Sequence, residues 1–144
     1  MRRKVLCVCL GNTCRSPMMA ALLQKELGDE FRVESAGIKK EAAGQSANEH
    51  SILCMKERGI DITGHRSRWI GELDLTDFEW VVGVGQVEVD AIWEFVPHHT
   101  IIEVVVANKT GGGVPDPFQK GLPAYRECLA LLDRALPAIA DQIR

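Results

Sequence analysis

The stretch from Cys9 to Pro17 (Cys-Leu-Gly-Asn-Thr-Cys-Arg-Ser-Pro) combines the residue types of an anion-binding nucleophilic site. Gly11 and Asn12 tolerate left-handed backbone conformations, so the chain can curl there and turn successive N–H groups inward. Such a nest of amides, closed by the first turn of a helix, binds an anion that has several oxygens. The planar guanidinium of Arg15 can hold two of those oxygens at once. The sequence therefore predicts an oxyanion-binding loop.

Cys9 is the predicted nucleophile of this loop. The N–H groups, the helix N-terminus and Arg15 together form a positive field, in which we expect the Cys9 thiol to be largely ionised near neutral pH. A thiolate beneath a bound phosphate indicates nucleophilic phosphoryl transfer. The predicted phosphate-binding residues are Leu10, Gly11, Asn12, Thr13, Cys14, Arg15 and Ser16.

Asp116 is the predicted proton donor. Phosphoryl transfer to sulfur leaves an alkoxide or a phenoxide, and this leaving group needs a proton. In Pro115-Asp116-Pro117-Phe118 the two prolines fix the backbone of the acid, and the glycines around them let the loop approach the pocket. An Asp-Pro pair in isolation is a common turn former. Because Asp116 occurs together with the Cys9 loop, we favour a role as the general acid over that of a turn former.

The elements that must position these residues alternate between strands and helices. Val5 to Val8 has no polar residue, which predicts a central parallel strand covered on both faces. Ser16 is predicted to cap the following helix with Pro17 at its first position, and Ser46 to cap a second helix. Further strands are predicted at 31–35, 80–84 and 101–106, helices at 86–95 and 122–143, and a long loop at 107–121.

This alternation predicts a single α/β domain with a four-stranded parallel twisted sheet and helices on both faces. Ligands of such sheets bind beyond the carboxyl ends of the strands. The Cys9 loop directly follows the first predicted strand, so it lies at that edge of the sheet.

The whole chain has 144 residues, which favours one domain over 1–144. Its net charge of −3 gives no electrostatic argument for a nucleic acid or an anionic membrane. No apolar stretch approaches the roughly 20 residues that span a bilayer. Five cysteines, an odd number, fit reduced thiols better than a disulfide scaffold. We therefore expect a cytoplasmic protein without nucleic acid or membrane partners.

The cysteines outside the loop, Cys7, Cys54 and Cys128, are expected to be small buried hydrophobic residues. A zinc site built from Cys7, Cys9 and Cys14 is disfavoured, because there is no Cys-x2-Cys pair and no His at a matching spacing. The predicted anion site needs no metal and no cofactor, since backbone N–H groups and an arginine carry the positive charge.

The motif from Val8 to Pro17, followed about a hundred residues later by Asp116-Pro117-Phe118, resembles the low-molecular-weight protein tyrosine phosphatase family. The order and spacing of Ser35-Ala36-Gly37, of Gly59-Ile60-Asp61 with His65, and of the predicted helix from Tyr125 to Pro137 also resemble that family. The resemblance covers nearly the whole chain. It implies the phosphotyrosine protein phosphatase I-like fold, which is Rossmann-like.

The resemblance implies a metal-independent phosphomonoester hydrolase. Cys9 is then the nucleophile that forms a phosphocysteine, and Arg15 binds the phosphate and stabilises the transition state. Asp116 first acts as the acid and then as the base for water. The implied substrate is a phosphorylated protein or peptide, with inorganic phosphate as product, and we expect a monomer or a weak homodimer.

The resemblance also implies supporting roles. Ser16 donates to the thiolate, and the residues that hold the loop in shape are Asn12, Ser16, Ser35 and His65. Cys14 matches a second loop cysteine that can form a reversible disulfide with Cys9 under oxidation. Leu10 and Phe118 form the substrate wall, and the segment 38–42 offers no aromatic residue.

Three alternatives stay open. Bacterial protein arginine phosphatases resemble the chain closely but carry Thr after the nucleophile, where Leu10 matches the tyrosine-directed members and would crowd a guanidinium. Thioredoxin-linked arsenate reductases use two further cysteines that lie close together, whereas Cys54 and Cys128 are far apart in sequence. A non-catalytic phosphate-binding module is disfavoured by the joint presence of nucleophile, arginine and acid.

Overall fold

The apolar run Val5–Val8 lies within a strand, β1 (Arg3–Cys9), whose residues from Val5 onward are all buried. The computed structural model describes residues 2–95, 100–103 and 113–144. A strand without polar alternation can be covered on both faces, so β1 takes a central position in the sheet. Its carboxyl end brings Cys9 to the edge where the predicted loop begins.

Four parallel strands form one sheet in the order β2-β1-β3-β4. β1 pairs with β2 in a register from Arg3↔Phe31 to Cys9↔Gly37, and on its other side with β3. The remaining strands are β2 (Phe31–Gly37), β3 (Trp80–Gly83) and β4 (Thr100–Glu103). The predicted fold class, a four-stranded parallel α/β sheet, is confirmed.

Helices cover both faces of this sheet. They are α1 (Arg15–Leu27), α2 (Glu49–Lys56), α3 (Gln86–Ile92) and α4 (Leu122–Ile143). Val5 and Cys7 of β1 belong to one buried apolar cluster with α1, α2 and α4. Leu6 and Val8, which point to the opposite face, pack in a second cluster with Ile92 of α3. The two clusters therefore fix the orientation of β1, and with it the direction in which the chain enters the Cys9 loop.

Two predicted helix caps are wrong, because each serine hydroxyl has a different hydrogen-bond partner. α1 begins at Arg15 with Cys14 as its N-cap, because the Ser16 hydroxyl is turned toward Cys9 and Asn12. Pro17 therefore occupies the third helical position, still within the first turn, where a missing N–H is tolerated.

The second helix begins later than predicted. Asn48 caps α2 by accepting from the His50 N–H, while the Ser46 hydroxyl accepts from Arg66. Ser46 instead forms an isolated antiparallel bridge with Arg66. Ser46 does not cap the helix, because its hydroxyl is bound by Arg66, which is distant in sequence.

The other boundaries agree closely with the prediction. α3 ends at Ile92, and α4 runs as one helix through Pro137 with a buried stripe that includes Tyr125, Leu132 and Ile143. The predicted strand 101–106 is observed as Thr100–Glu103, and its residues 104–106 lie outside the described residues, as do 107–112 of the predicted loop. In the described part of the chain, no helix has the length and apolarity needed to cross a membrane.

Candidate active site

The segment between β1 and α1 curls around Asn12, whose φ of 60° lies in the left-handed region. Asn is one of the residue types that adopt this conformation at low cost, as the sequence predicted. The N–H groups of Leu10, Gly11, Thr13 and Cys14 donate to no other group within the described ranges. All four residues line one pocket, so the loop offers it several free backbone donors.

Asn12 is held by hydrogen bonds from three directions. Its Nδ2 donates to the Ser16 Oγ at 2.8 Å, and its Oδ1 accepts from the Arg68 N–H at 2.9 Å. Its backbone oxygen lies 2.7 Å from Nε2 of His65. Because the side chain is fully buried and its polar groups are paired, these contacts hold the left-handed turn in place.

Two donors converge on the Cys9 sulfur. The Asn12 N–H donates to Sγ at 3.2 Å, and the Ser16 Oγ lies 3.0 Å from it. Since the Ser16 hydroxyl already accepts from Asn12, its own hydrogen is available for the sulfur. Hydrogen bonds of this kind stabilise a thiolate. The arrangement can therefore present a sulfur nucleophile to an anion bound in the loop.

Arg15 extends beneath the pocket and is almost wholly buried. Its Nη1 donates to the Val114 oxygen at 2.9 Å, and its Nη2 lies 3.5 Å from Glu88 Oε2 and 3.6 Å from Asp116 Oδ2. Its Nε is buried and has no partner among the described residues. An unpaired buried donor beside free backbone N–H groups fits a site for an oxyanion.

The segment that carries Asp116 is fixed to the end of β3. The Val114 N–H donates to the Val84 oxygen at 3.0 Å, and Gly113, with a φ of 89°, lies so close to Gly85 that a Cβ there would be 2.7 Å from its Cα. Only glycine allows this approach. The attachment brings Asp116 to the pocket although it follows Arg15 by about a hundred residues.

Asp116 and Phe118 form one wall of the pocket. The Phe118 N–H donates to Asp116 Oδ1 at 3.1 Å, which orients the carboxyl group and leaves Oδ2 toward Arg15. The Phe118 ring is 52% exposed, so a flat substrate group can stack on it. An acid and an aromatic ring therefore lie together at the mouth.

The pocket has a volume of about 180 Å³. The loop residues, Asp116 and Phe118 are the predicted part of its lining, and three further lining residues were not singled out in the sequence: Lys39, Ala42 and Gln45. The segment 38–46 was predicted as a loop, and the family resemblance implied a pocket wall there that offers no aromatic residue, without marking which residues form it. A lysine in a polar loop carries no pattern that marks it as pocket lining, because its position depends on how β2 ends against the Cys9 loop.

Glu88 and Val114 were also missed. Glu88 is charged yet only 5% exposed, and it pairs with Arg15 from the first turns of α3. In the sequence Glu88 lies within the predicted helix 86–95, where no motif singled it out. The burial of its carboxyl group is what indicates a partner, since charged groups are rarely buried unless they are paired.

Cys14 is buried, as Cys9 is, and contacts a second element. Its Sγ is 3.3 Å from the Tyr125 Oη of α4, and its backbone oxygen accepts from the Ser51 hydroxyl. Burial raises the pKa of the Cys14 thiol above its usual value, and the hydroxyl of Tyr125 opposes part of that rise. Cys14 is therefore a protonated thiol near neutral pH in this arrangement.

His65 and Ser35 differ in how they relate to the loop. His65 contacts Asn12 directly, and burial lowers the pKa of its ring below the usual value. Ser35 is buried in β2, and its backbone oxygen accepts from Arg68, the residue whose N–H holds Asn12. The described contacts thus join His65 directly to Asn12, whereas Ser35 contacts Arg68, which in turn contacts Asn12.

The three cysteines outside the loop are all buried. Cys7, Cys54 and Cys128 are at most 3% exposed, as predicted, and burial raises the pKa of the Cys128 thiol to about 12. Among the described residues, no group of three or more His, Cys, Asp or Glu side chains is placed to hold a metal ion.

Comparison with known proteins places these features in a wider context. The family model of the low molecular weight phosphotyrosine protein phosphatases matches residues 4–144. A protein-arginine-phosphatase of Geobacillus stearothermophilus is 32% identical over 98% of this chain and 96% of its own length. A probable low molecular weight protein-tyrosine-phosphatase of Ralstonia solanacearum is 30% identical over 100% of this chain and 98% of its own.

The fold is similar to solved structures over the same extent. A protein tyrosine phosphatase from Entamoeba histolytica has a TM-score of 0.87 at 26% identity, with 98% of this chain and 96% of that chain covered. The similarity therefore extends over the whole arrangement of strands and helices and is not confined to the Cys9 loop.

Proposed function

Because the chain belongs to the low molecular weight phosphotyrosine protein phosphatase family, we propose that it hydrolyses phosphate monoesters of proteins or peptides, with phosphotyrosine as the preferred group. The observation that carries this proposal is the site itself. A cysteine sulfur with two donors lies in a loop of free N–H groups, above a buried arginine and beside a carboxylic acid.

In the first proposed step the Cys9 thiolate attacks phosphorus, and the bond from phosphorus to the leaving oxygen breaks. Asp116 gives its proton to that oxygen, so that the leaving group departs as an alcohol or a phenol. In the second step water attacks the phosphocysteine, Asp116 takes the proton of the water, and the sulfur leaves as a thiolate. Arg15 and the loop N–H groups hold the phosphate oxygens throughout.

The test is hydrolysis of p-nitrophenyl phosphate in the presence of a chelator. We expect Cys9→Ser to lower kcat by roughly a thousandfold or more, because the hydroxyl is a far weaker nucleophile. Cys54→Ala on α2, which removes a buried thiol far from the pocket, is the matched control and should keep its rate. A Cys9→Ser enzyme with the activity of the wild type would overturn the proposal.

A second candidate function, hydrolysis of phosphoarginine, is favoured by one finding, the 32% identity to a protein-arginine-phosphatase. Leu10 lines the pocket here. Its branched apolar side chain would crowd a guanidinium, and this supports phosphotyrosine. Matched peptides that carry phosphotyrosine or phosphoarginine, assayed side by side with arsenate reduction as a third reaction, separate the alternatives by their kcat/KM.

We also propose that Cys14 protects Cys9 from overoxidation. Peroxide oxidises the Cys9 thiolate to a sulfenic acid with loss of hydroxide, and the Cys14 sulfur then attacks that sulfur, forming a disulfide as water leaves. The presence of both cysteines in the same loop supports this role. We further propose that the chain forms a single domain over 1–144 and that the protein is cytoplasmic. We expect it to be a monomer or a weak homodimer.

A further inference from the structure

The backbone of Lys39 is fixed against the phosphate loop. The N–H groups of Lys39 and Ile38 both donate to the Leu10 oxygen at 3.0 Å. Just before them, Gly37 ends β2 so close to the loop that a Cβ there would lie 2.9 Å from the Gly11 carbonyl carbon. The side chain of Lys39 therefore starts from a defined point on the rim of the pocket.

Among the described residues, none provides a counter-ion for the ammonium of Lys39. Lys39 is exposed, lines the pocket, and takes part in none of the ion pairs that the described residues form. Its neighbour Lys40 differs, because the Lys40 Nζ lies over the Trp69 ring, 5.2 Å from its centroid. The pocket lining thus carries one positive charge that no described residue pairs.

The other charges of the pocket are already compensated. Arg15 at the base pairs with Glu88 and Asp116, and it is the group that an incoming phosphate would engage. Lys39 and Phe118 line the same pocket. A ring that stacks on Phe118 with its phosphate on the loop leaves the rest of the peptide to cross the rim, within reach of the long lysine side chain.

Resting on the phosphatase function proposed above, we propose that Lys39 selects phosphotyrosyl peptides that carry an acidic residue beside the phosphotyrosine. The carboxylate of that residue supplies a counter-ion that none of the described side chains provides. An exposed pair of this kind is modest in strength, so its effect is a preference among substrates and leaves the chemical step unchanged.

The experiment compares two phosphotyrosyl peptides that differ only in one neighbouring residue, Glu or Gln. For the wild type we expect kcat/KM to be about threefold to fivefold higher for the Glu peptide at low salt, and this ratio to shrink as salt rises. Lys39→Met keeps the aliphatic length and should bring the ratio close to one. Lys39→Glu should reverse it.

Lys40→Met is the matched control, because it removes the adjacent cation that lies over Trp69, and its ratio should equal that of the wild type. A Lys39→Met enzyme with the wild-type ratio would overturn the inference while leaving the phosphatase function intact. An absence of Cys9-dependent hydrolysis of p-nitrophenyl phosphate would instead overturn the proposed function, and the inference with it. The two failures are therefore distinguishable.

Discussion

At the scale of single residues, the site depends on a few side chains whose chemical roles are separable. Cys9 supplies the sulfur, Arg15 the positive charge and Asp116 a carboxyl group 3.6 Å from that arginine. Asn12 provides the turn that no β-branched residue would adopt at comparable cost. Because the proposed contributions of these residues differ in kind, substitutions should be told apart by kinetics.

Asp116→Asn should slow poor leaving groups more than good ones. The amide cannot give a proton, yet its oxygen can still accept from the Phe118 N–H, so the loop should keep its shape. We expect kcat for an alkyl phosphate to fall by roughly a hundredfold, and kcat for p-nitrophenyl phosphate to fall much less. Equal losses for both substrates, measured in parallel, would argue against an acid role.

Tyr125→Phe should slow the reversible oxidation of the enzyme. The Tyr125 hydroxyl holds down the pKa of the Cys14 thiol, which burial raises, so its removal leaves less Cys14 thiolate to attack an oxidised Cys9. We expect disulfide formation after peroxide, followed by mass spectrometry, to be several-fold slower than in the wild type. Cys14→Ser is the control in which no disulfide forms.

Wild-type protein that is oxidised only to a sulfinic acid at Cys9 would contradict the protective role. A disulfide between Cys9 and Cys14 that recovers with a reductant is the expected product.

At the scale of elements, the site is the place where three segments meet. β1 delivers Cys9, α1 begins with Arg15, and the stretch that starts at Gly113 is attached to the end of β3. The short helix α3 carries Glu88, whose carboxylate is buried against Arg15 outside the pocket lining. We infer that α3 orients the arginine.

Glu88→Gln should weaken phosphate binding. The amide has the same shape but no charge, so Arg15 loses one of its two carboxylate partners and the fixed orientation that goes with it. We expect the inhibition constant of inorganic phosphate to rise by roughly tenfold, with kcat/KM falling in parallel. Asp90→Asn, on an exposed side chain of the same helix that pairs with Gln86, is the control.

If Glu88→Gln changed only the free energy of unfolding and left the phosphate inhibition constant unaltered, the residue would be structural and would not position Arg15.

At the scale of the whole molecule, the loop is stabilised by segments that fold onto it from far along the chain. His65 and Arg68 hold Asn12 from one side, and Tyr125 of α4 contacts Cys14 from the other. The two apolar clusters on either face of the sheet keep these segments in place. The stability of the loop and the stability of the protein should therefore change together.

Acidification should remove stability through His65. Burial lowers its pKa in the folded protein below the usual 6.5, with Arg68 and Arg66 acting in the same direction. The unfolded chain therefore binds the proton first, so the contribution of neutral His65 to folding is present above pH 6.5 and is lost as the pH falls through the folded-state pKa.

The measurement is the free energy of unfolding of the wild type and of His65→Gln at about pH 7.5 and about pH 5.5. We expect the difference between the two proteins to be smaller at the lower pH. A difference that stays constant or grows on acidification would show that His65 is not held neutral by the fold.

The residues of the Cys9 loop, with Asp116 and Phe118, could be identified from the sequence because their types and spacing fix the chemistry. The central place of β1 in a four-stranded parallel sheet also followed, since an apolar run such as Val5–Val8 needs cover on both faces. The helix caps at Ser16 and Ser46 failed for a shared reason. Each hydroxyl found a partner that local propensity does not consider, Cys9 with Asn12 in the first case and Arg66 in the second.

The sequence by itself indicated the class of reaction, a phosphatase reaction, because a nucleophile, an arginine and an acid around a curled loop leave few other chemistries. Only the tertiary structure decided what surrounds them. Lys39 became a pocket wall because β2 ends against the loop, and Glu88 became a partner of Arg15 because α3 packs beneath it. Such contacts join residues that are distant along the chain, and no local pattern of polarity or spacing encodes them.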